Sequence, residues 1–202
     1  VGSEKHKEQG YQVPVTKVGD GEWTATFKNV PTPAHQAGFN PTGDRFVLMN
    51  NARENVMAVF DSSNQQDPTT WRRVAGVGDP SWKGVYPNPF HMAFTPDGKK
   101  LYVSAWWPSP SMNSVVVVDT KTWKIIKTID IGPDVHTLAC TDDGKWIFSV
   151  YSGYQKTKSG TFMIRVKDDK LYGYLPSPYG HHDNVIVPRS IKGLAISRCP
   201  TT

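Results

Sequence analysis

A pattern that recurs three times along the chain narrows the possible folds more than any other feature. HQAGFNPTGDRFVLMNNARENVMAVFD, from His35 to Asp61, lines up with HMAFTPDGKKLYVSAWWPSPSMNSVVVVDTKTWKIIKTI, from His91 to Ile129. Both line up with HTLACTDDGKWIFSVYSGYQKTKSGTFMIRVKDDKLYGYL, from His136 to Leu175. Each opens on a histidine and reaches a turn glycine seven or eight positions later: Gly43, Gly98 and Gly144. An apolar run follows, then a polar loop, a second apolar run, a short turn, and a last run carrying Trp71, Trp123 or Tyr172. A fixed period of this kind is the mark of an architecture built from stacked units, each unable to bury its apolar surface alone.

The local chemistry of each unit predicts strands. PTGDR, TPDGK and TDDGK are hairpin turns, in which glycine supplies a positive φ and aspartate bonds its own backbone. Lys100–Ser104, Val115–Asp119 and Lys145–Val150 are short, rich in Val, Ile, Phe and Tyr, and bounded by turn residues. Nowhere do apolar residues recur at i, i+3, i+4 and i+7 over three turns, so helix is expected to be close to absent. Four short strands every 45 to 56 residues predict an all-β chain of β-propeller blades, with a β-sandwich as the rival. The repeats run over 35–90, 91–135 and 136–181, with a closing strand from 182. At about 45 residues per blade, the 202 residues make four blades and a remainder. The chain is therefore expected to be the C-terminal part of a larger propeller, with strand remnants around Glu22–Lys28.

Composition removes several classes of function. Net charge is +5 with pI near 9.1, but no run of five or six Lys/Arg marks a nucleic-acid or lipid surface. A mean hydropathy of −0.47 and the lack of an eighteen-residue apolar run argue against a membrane-spanning helix. The two cysteines, Cys140 and Cys199, have no CxxC, CxxCH or zinc-knuckle spacing, which argues against haem attachment and structural zinc.

The histidines carry the chemistry. His35, His91 and His136 open three successive repeats and His182 opens a fourth, at spacings of 56, 45 and 46. In a propeller the first strand of each blade lines the central channel, so a residue repeated at its start comes round once per blade at one mouth. Four imidazoles without nearby thiolates suit Cu, Zn, Fe or Ni better than Ca or Mg. Any one of them, taken singly, reads more readily as a satisfied core or surface histidine; it is the four at one blade position that point to metal ligation. His181 faces away from His182 in a regular strand, so one of the pair is the ligand and the other an orienting or structural group. Gln36 can face the same cavity, and Asp134 and Asp183 can orient an imidazole N–H. Asp97, Asp142 and Asp143 read as turn residues, and Cys140 as a buried, inert thiol.

The segments HQAG, PNPFHMAFTPDGK, GPDVHT and PSPYGHHDNVIVP resemble the C-terminal blades of the thiocyanate dehydrogenases, copper enzymes distantly related to nitrous oxide reductase. The resemblance runs from about Ala34 over nearly all the remaining chain. It implies a seven-bladed propeller with a trinuclear copper centre in its channel, and His35, His91, His136 and His182 as copper ligands. It also implies oxidation of thiocyanate with water to cyanate and elemental sulfur, the two electrons passing to an external acceptor such as a cytochrome c. The remaining ligands, and the catalytic carboxylates and lysine, belong to earlier blades. Those N-terminal blades of the same protein are thus an expected partner, with a homodimer and a periplasmic location. Two other readings stand beside it. A nitrous-oxide-reductase-like copper propeller should append a cupredoxin domain with paired cysteines, and a non-enzymatic propeller scaffold should bind no metal.

Overall fold

The computed structural model describes residues 12–16, 22–26, 34–50, 57–78, 88–106, 114–131, 135–151, 159–177 and 186, some strand ends by backbone alone. Among these residues the regular elements are strands apart from one 3-10 turn, Pro68–Thr70. No helix among these residues is long and apolar enough to cross a membrane. A two-stranded hairpin, β1 (Gln12–Thr16) and β2 (Glu22–Thr26), comes first. Three four-stranded antiparallel sheets follow, each a simple up-and-down meander. The first holds β3 (Ala34–Phe39), β4 (Arg45–Asn50), β5 (Met57–Asp61) and β6 (Arg72–Val77). In the second are β7 (Asn88–Phe94), β8 (Lys100–Trp106), β9 (Ser114–Asp119) and β10 (Lys124–Asp130). The third is built from β11 (Val135–Cys140), β12 (Trp146–Tyr151), β13 (Ser159–Arg165) and β14 (Lys170–Ser177).

The middle strands explain the stacking. β9 reads SVVVV with every residue buried, because its two faces meet two different neighbours. Val116 and Val118, with Leu101 and Val103 of β8, pack against Val47, Met49, Met57 and Val59 of the first sheet. Their alternates Val115, Val117 and Tyr102 pack against Val135, Leu138, Ile147 and Ile164 of the third. Strand alternation therefore sends odd and even positions into two separate cores. The first strands, β3, β7 and β11, lie beside one another in succession, which makes them the inner strands of three consecutive blades.

The turns repeat as closely as the strands. Gly43, Gly98 and Gly144 have φ of 75°, 69° and 66°, and each donates its N–H to the carbonyl three residues back, at Asn40, Thr95 and Thr141. Asp97 accepts from the Thr95 hydroxyl at 2.7 Å and the Lys99 N–H at 3.1 Å. Asp143 does the same with Thr141 and Lys145. In the first blade Asn40 replaces the threonine, its Oδ1 accepting from the Arg45 N–H at 2.9 Å. The aspartates at 97 and 143 are turn residues, as the sequence implies.

The second and third blades share a polar clamp that the pattern does not announce. The ammonium of Lys100 donates to both carboxylate oxygens of Asp169 at 2.8 Å and to the Val166 carbonyl at 2.9 Å. The fully buried Tyr102 hydroxyl donates to the same carboxylate. Asp169 enters from the β13–β14 turn with φ of 53°, a conformation aspartate tolerates better than most residues. Burial, and then the Asp169 carboxylate, push the Tyr102 hydroxyl well above the usual phenol range.

The outer strands each carry one bulge at one place. Val74, Ile126 and Tyr172 are the extra residues opposite β5, β9 and β13, and they stand 47%, 53% and 62% exposed. A bulge repeated on every outer edge interrupts the flat row of backbone groups that would template edge-to-edge pairing.

Two outcomes follow from these contacts. Lys100→Met leaves the Asp169 charge poorly paired between blades and should lower unfolding free energy by roughly 1–3 kcal/mol, read from the urea midpoint; an unchanged midpoint would show that the clamp contributes nothing. Hydroxyl and backbone N–H donors lower the Asp97 and Asp143 carboxyls from 3.8 to about 2. Their ionised forms therefore favour folding above about pH 4, and this contribution is lost as pH falls through 2. The Asp97→Asn/Asp143→Asn double variant, which keeps the acceptor oxygens, should lose stability less steeply over that window in acid titrations followed by circular dichroism.

Candidate metal centre

The inner strands hold the histidines at bulges. In β3, two residues, His35 and Gln36, oppose the single residue Met49 between the pairs Ala34–Asn50 and Ala37–Leu48. In β7, Phe90 and His91 oppose Ser104 between Pro89–Ala105 and Met92–Val103. In β11, His136 and Thr137 oppose Val150 between Val135–Tyr151 and Leu138–Ser149. A bulge re-aims its side chains away from the strict alternation of the strand, which is why bulges gather beside functional sites. The register also refines the repeat. His35 and His136 take the first bulge position, whereas His91 takes the second, in line with Gln36 and Thr137. The seven-residue spacing from His91 to Gly98, against eight in the other repeats, is the sequence trace of that offset.

The offset brings two imidazoles together. The His91 and His136 rings have centroids 4.9 Å apart and planes inclined by 41°, and the His136 side chain is buried. His91 reaches from the second blade to the bulge of the third. Gln36, in the same place one blade earlier, likewise reaches the bulge of the second, where its Oε1 accepts from the Met92 N–H at 2.7 Å. Ser104, opposite the bulge in β8, accepts from the His91 N–H at 2.9 Å and donates to the His91 carbonyl at 3.4 Å.

Two imidazole nitrogens that share one ion at about 2 Å each hold their ring centres about 5 Å apart. The His91–His136 separation fits that arrangement, and imidazole donors suit Cu, Zn, Fe or Ni. Among the described residues, no group of three or more His, Cys, Asp or Glu forms a candidate metal site. His35 lies in β3 with its side chain outside the described residues, and His181, His182, Asp134 and Asp183 lie outside them altogether.

Cys140 is held apart from this chemistry. Burial first, then the Asp143, Asp97 and Asp142 charges at the turns, push its thiol up to about 11. Its sulfur donates to the Thr141 carbonyl at 3.5 Å.

No family model matches the sequence, and no curated protein does. Solved structures do match in shape. Hydrazine synthase of Kuenenia stuttgartiensis superposes with a TM-score of 0.60 at 16% identity, over 78% of this chain and 39% of its own. A Bacteroides uniformis protein named as a 6-phosphogluconolactonase gives 0.57 at 16% identity, over 77% and 44%. A eukaryotic initiation factor gives 0.56 at 11% identity, over 79% and 38%. These are propeller-type proteins, and at such identities the likeness is one of fold alone. With three meandering blades whose inner strands lie side by side, the chain has the β-propeller fold. It spans about two fifths of the length of the structures it matches.

A thiol shifted from 9 to about 11 holds roughly a hundredfold less thiolate at neutral pH. Cys140 should therefore resist iodoacetamide at pH 7.5 in the folded protein and react on unfolding, read by peptide mapping. Rapid labelling of the native chain at this residue would contradict its placement.

Proposed function

We propose that this chain is part of a copper-dependent oxidoreductase of the thiocyanate dehydrogenase kind, a propeller of seven blades when complete. The observation that carries the reading is the imidazole pair, His91 and His136, delivered from the bulged inner strands of two consecutive blades. The family resemblance extends the ligand set to His35 and His182 and the centre to three coppers. The net charge of +5 supports capture of an anion such as thiocyanate.

When bound, copper supplies Lewis acidity, a lowered pKa for a coordinated water, and a sink for electrons. The proposed reaction balances as SCN− + H2O → OCN− + S + 2 H+ + 2 e−: one C–O bond forms and the C–S bond breaks. The electrons leave to an external one-electron acceptor of the cytochrome c type. This chain's own residues do the holding. His91 and His136 offer neutral nitrogens from adjacent blades. Ser104 and Gln36 fix the backbone from which His91 projects, and the apolar seam between the second and third blades packs the sheets of the two inner strands together. The group that takes the proton from water belongs, on the resemblance, to earlier blades. A homodimer and a periplasmic location are parts of the same proposal and rest on the resemblance alone.

The test is copper content by mass spectrometry on the natively purified full-length protein. About two to three coppers per chain are expected for a trinuclear centre, with thiocyanate-dependent reduction of an electron acceptor. His136→Ala should lower the copper content and abolish turnover while leaving the far-UV β signature intact. Unchanged copper in that variant would remove His136 from the site. Failure of the wild type to take up copper on reconstitution would leave a propeller used as a binding scaffold.

A further inference from the structure

We infer that Gln36 and Ser104 are positioning residues for His91, holding its bulge from two blades so that its imidazole meets that of His136. The inference rests on the copper reading above for its consequence, and on the geometry of the bulge for its substance. A two-against-one bulge removes amides from the regular ladder. In β7 two amides at the bulge, those of His91 and Met92, are each captured by a side chain. The His91 N–H goes to Ser104 Oγ in the same blade, and the Met92 N–H goes to Gln36 Oε1 in the preceding one.

Ser104 departs from the repeat. The position of Ser104 is filled by Met49 in the first blade and Val150 in the third, the apolar residues a blade interior calls for. A serine at a fully buried place in β8 is explained by the amide it holds. The second bulge position is Gln36, His91 and Thr137 in successive blades. Gln36 is thus the residue that makes, one blade earlier, the same forward reach that His91 makes toward His136. The seam runs from Gln36 to the second bulge, and from His91 to the third. Without the Gln36 contact the bulge is fixed from one side only, and the ring it carries can turn about the strand axis. Side chains that orient a ligand through hydrogen bonds set metal affinity by roughly tenfold to a hundredfold.

The experiment compares the full-length protein with Gln36→Leu, which removes the acceptor, Gln36→Glu, which keeps one, and Ser104→Ala. Two readouts are taken on each. The first is the inter-ring nuclear Overhauser effect between His91 and His136 in metal-free protein with labelled histidine. The second is the Cu(II) electron paramagnetic resonance spectrum and copper affinity against a competing chelator. Gln36→Leu and Ser104→Ala should lose the inter-ring signal and bind copper about tenfold or more weakly with an altered hyperfine pattern, whereas Gln36→Glu should retain both. Wild-type ring contact and copper spectrum in Gln36→Leu and Ser104→Ala would overturn the inference. Should Gln36→Leu not fold, Ser104→Ala decides by the same two signals. A ring contact that depends on Gln36 in a wild-type protein that takes up no copper would uphold the positioning role and refute the copper reading, so the two failures are distinct.

Discussion

The middle strands of the second blade have no face turned to water, and this condition governs everything else in the molecule. Leu101 and Val103 lie in one core while Tyr102 lies in the next, and β9 divides its four valines between the same two seams. An ordinary two-layer protein buries one face of each sheet. Here the second blade is at once the floor of one core and the roof of another, so its middle strands are covered on both faces. Ten side chains fill the first seam. At about 1.5–3 kcal/mol for each fully buried apolar side chain, its gross contribution is on the order of 15–30 kcal/mol. A single hydrogen bond such as Gln36 to Met92 contributes about 1 kcal/mol net. The seams therefore decide that the blades stack, and the few polar contacts between blades are left to decide how their inner edges line up.

That division of labour locates the candidate site. The inner strands converge because the seams press them together, yet regular strands there would alternate side chains into the apolar cores. The bulges break this rule at one place per blade, and the histidines of the first three repeats fall within them. A buried polar ring in a seam lined with valine and methionine would be expensive. At the bulge it can be turned out of the seam while the flanking residues, Met92 and Leu138 among them, stay in it.

Much of this could be read from the sequence, and the exceptions have physical causes. The turns were legible because glycine at φ near +70° and an aspartate closing its own backbone leave a fixed local signature at Gly98 and Gly144. The strands were legible because burial on two faces writes a run such as SVVVV, which no exposed segment tolerates. Chain order alone hid the register of His91: counting from the histidine aligns it with His35 and His136, while counting from the turn glycine sets it one residue later. The role of Asp169 is not written in its local sequence, since it depends on Lys100 and Tyr102, more than sixty positions away. The bulges at Val74, Ile126 and Tyr172 leave no local signature, because an extra residue shows only when a partner strand is there to count against.

The same reasoning separates what the blade stack fixes from what it leaves adjustable. Close-packed seams resist displacement, since a shift of one blade against another would open voids among valines and methionines on both sides. The inner strands supported by such seams are thus held at a set distance, while the orientation of the rings they carry is left to the bulges. The bulge itself is the soft element, tied by two side-chain hydrogen bonds and not by a ladder. Small changes there would tilt a ring without moving a strand, so the chemistry of the mouth can be altered while the fold stays as it is.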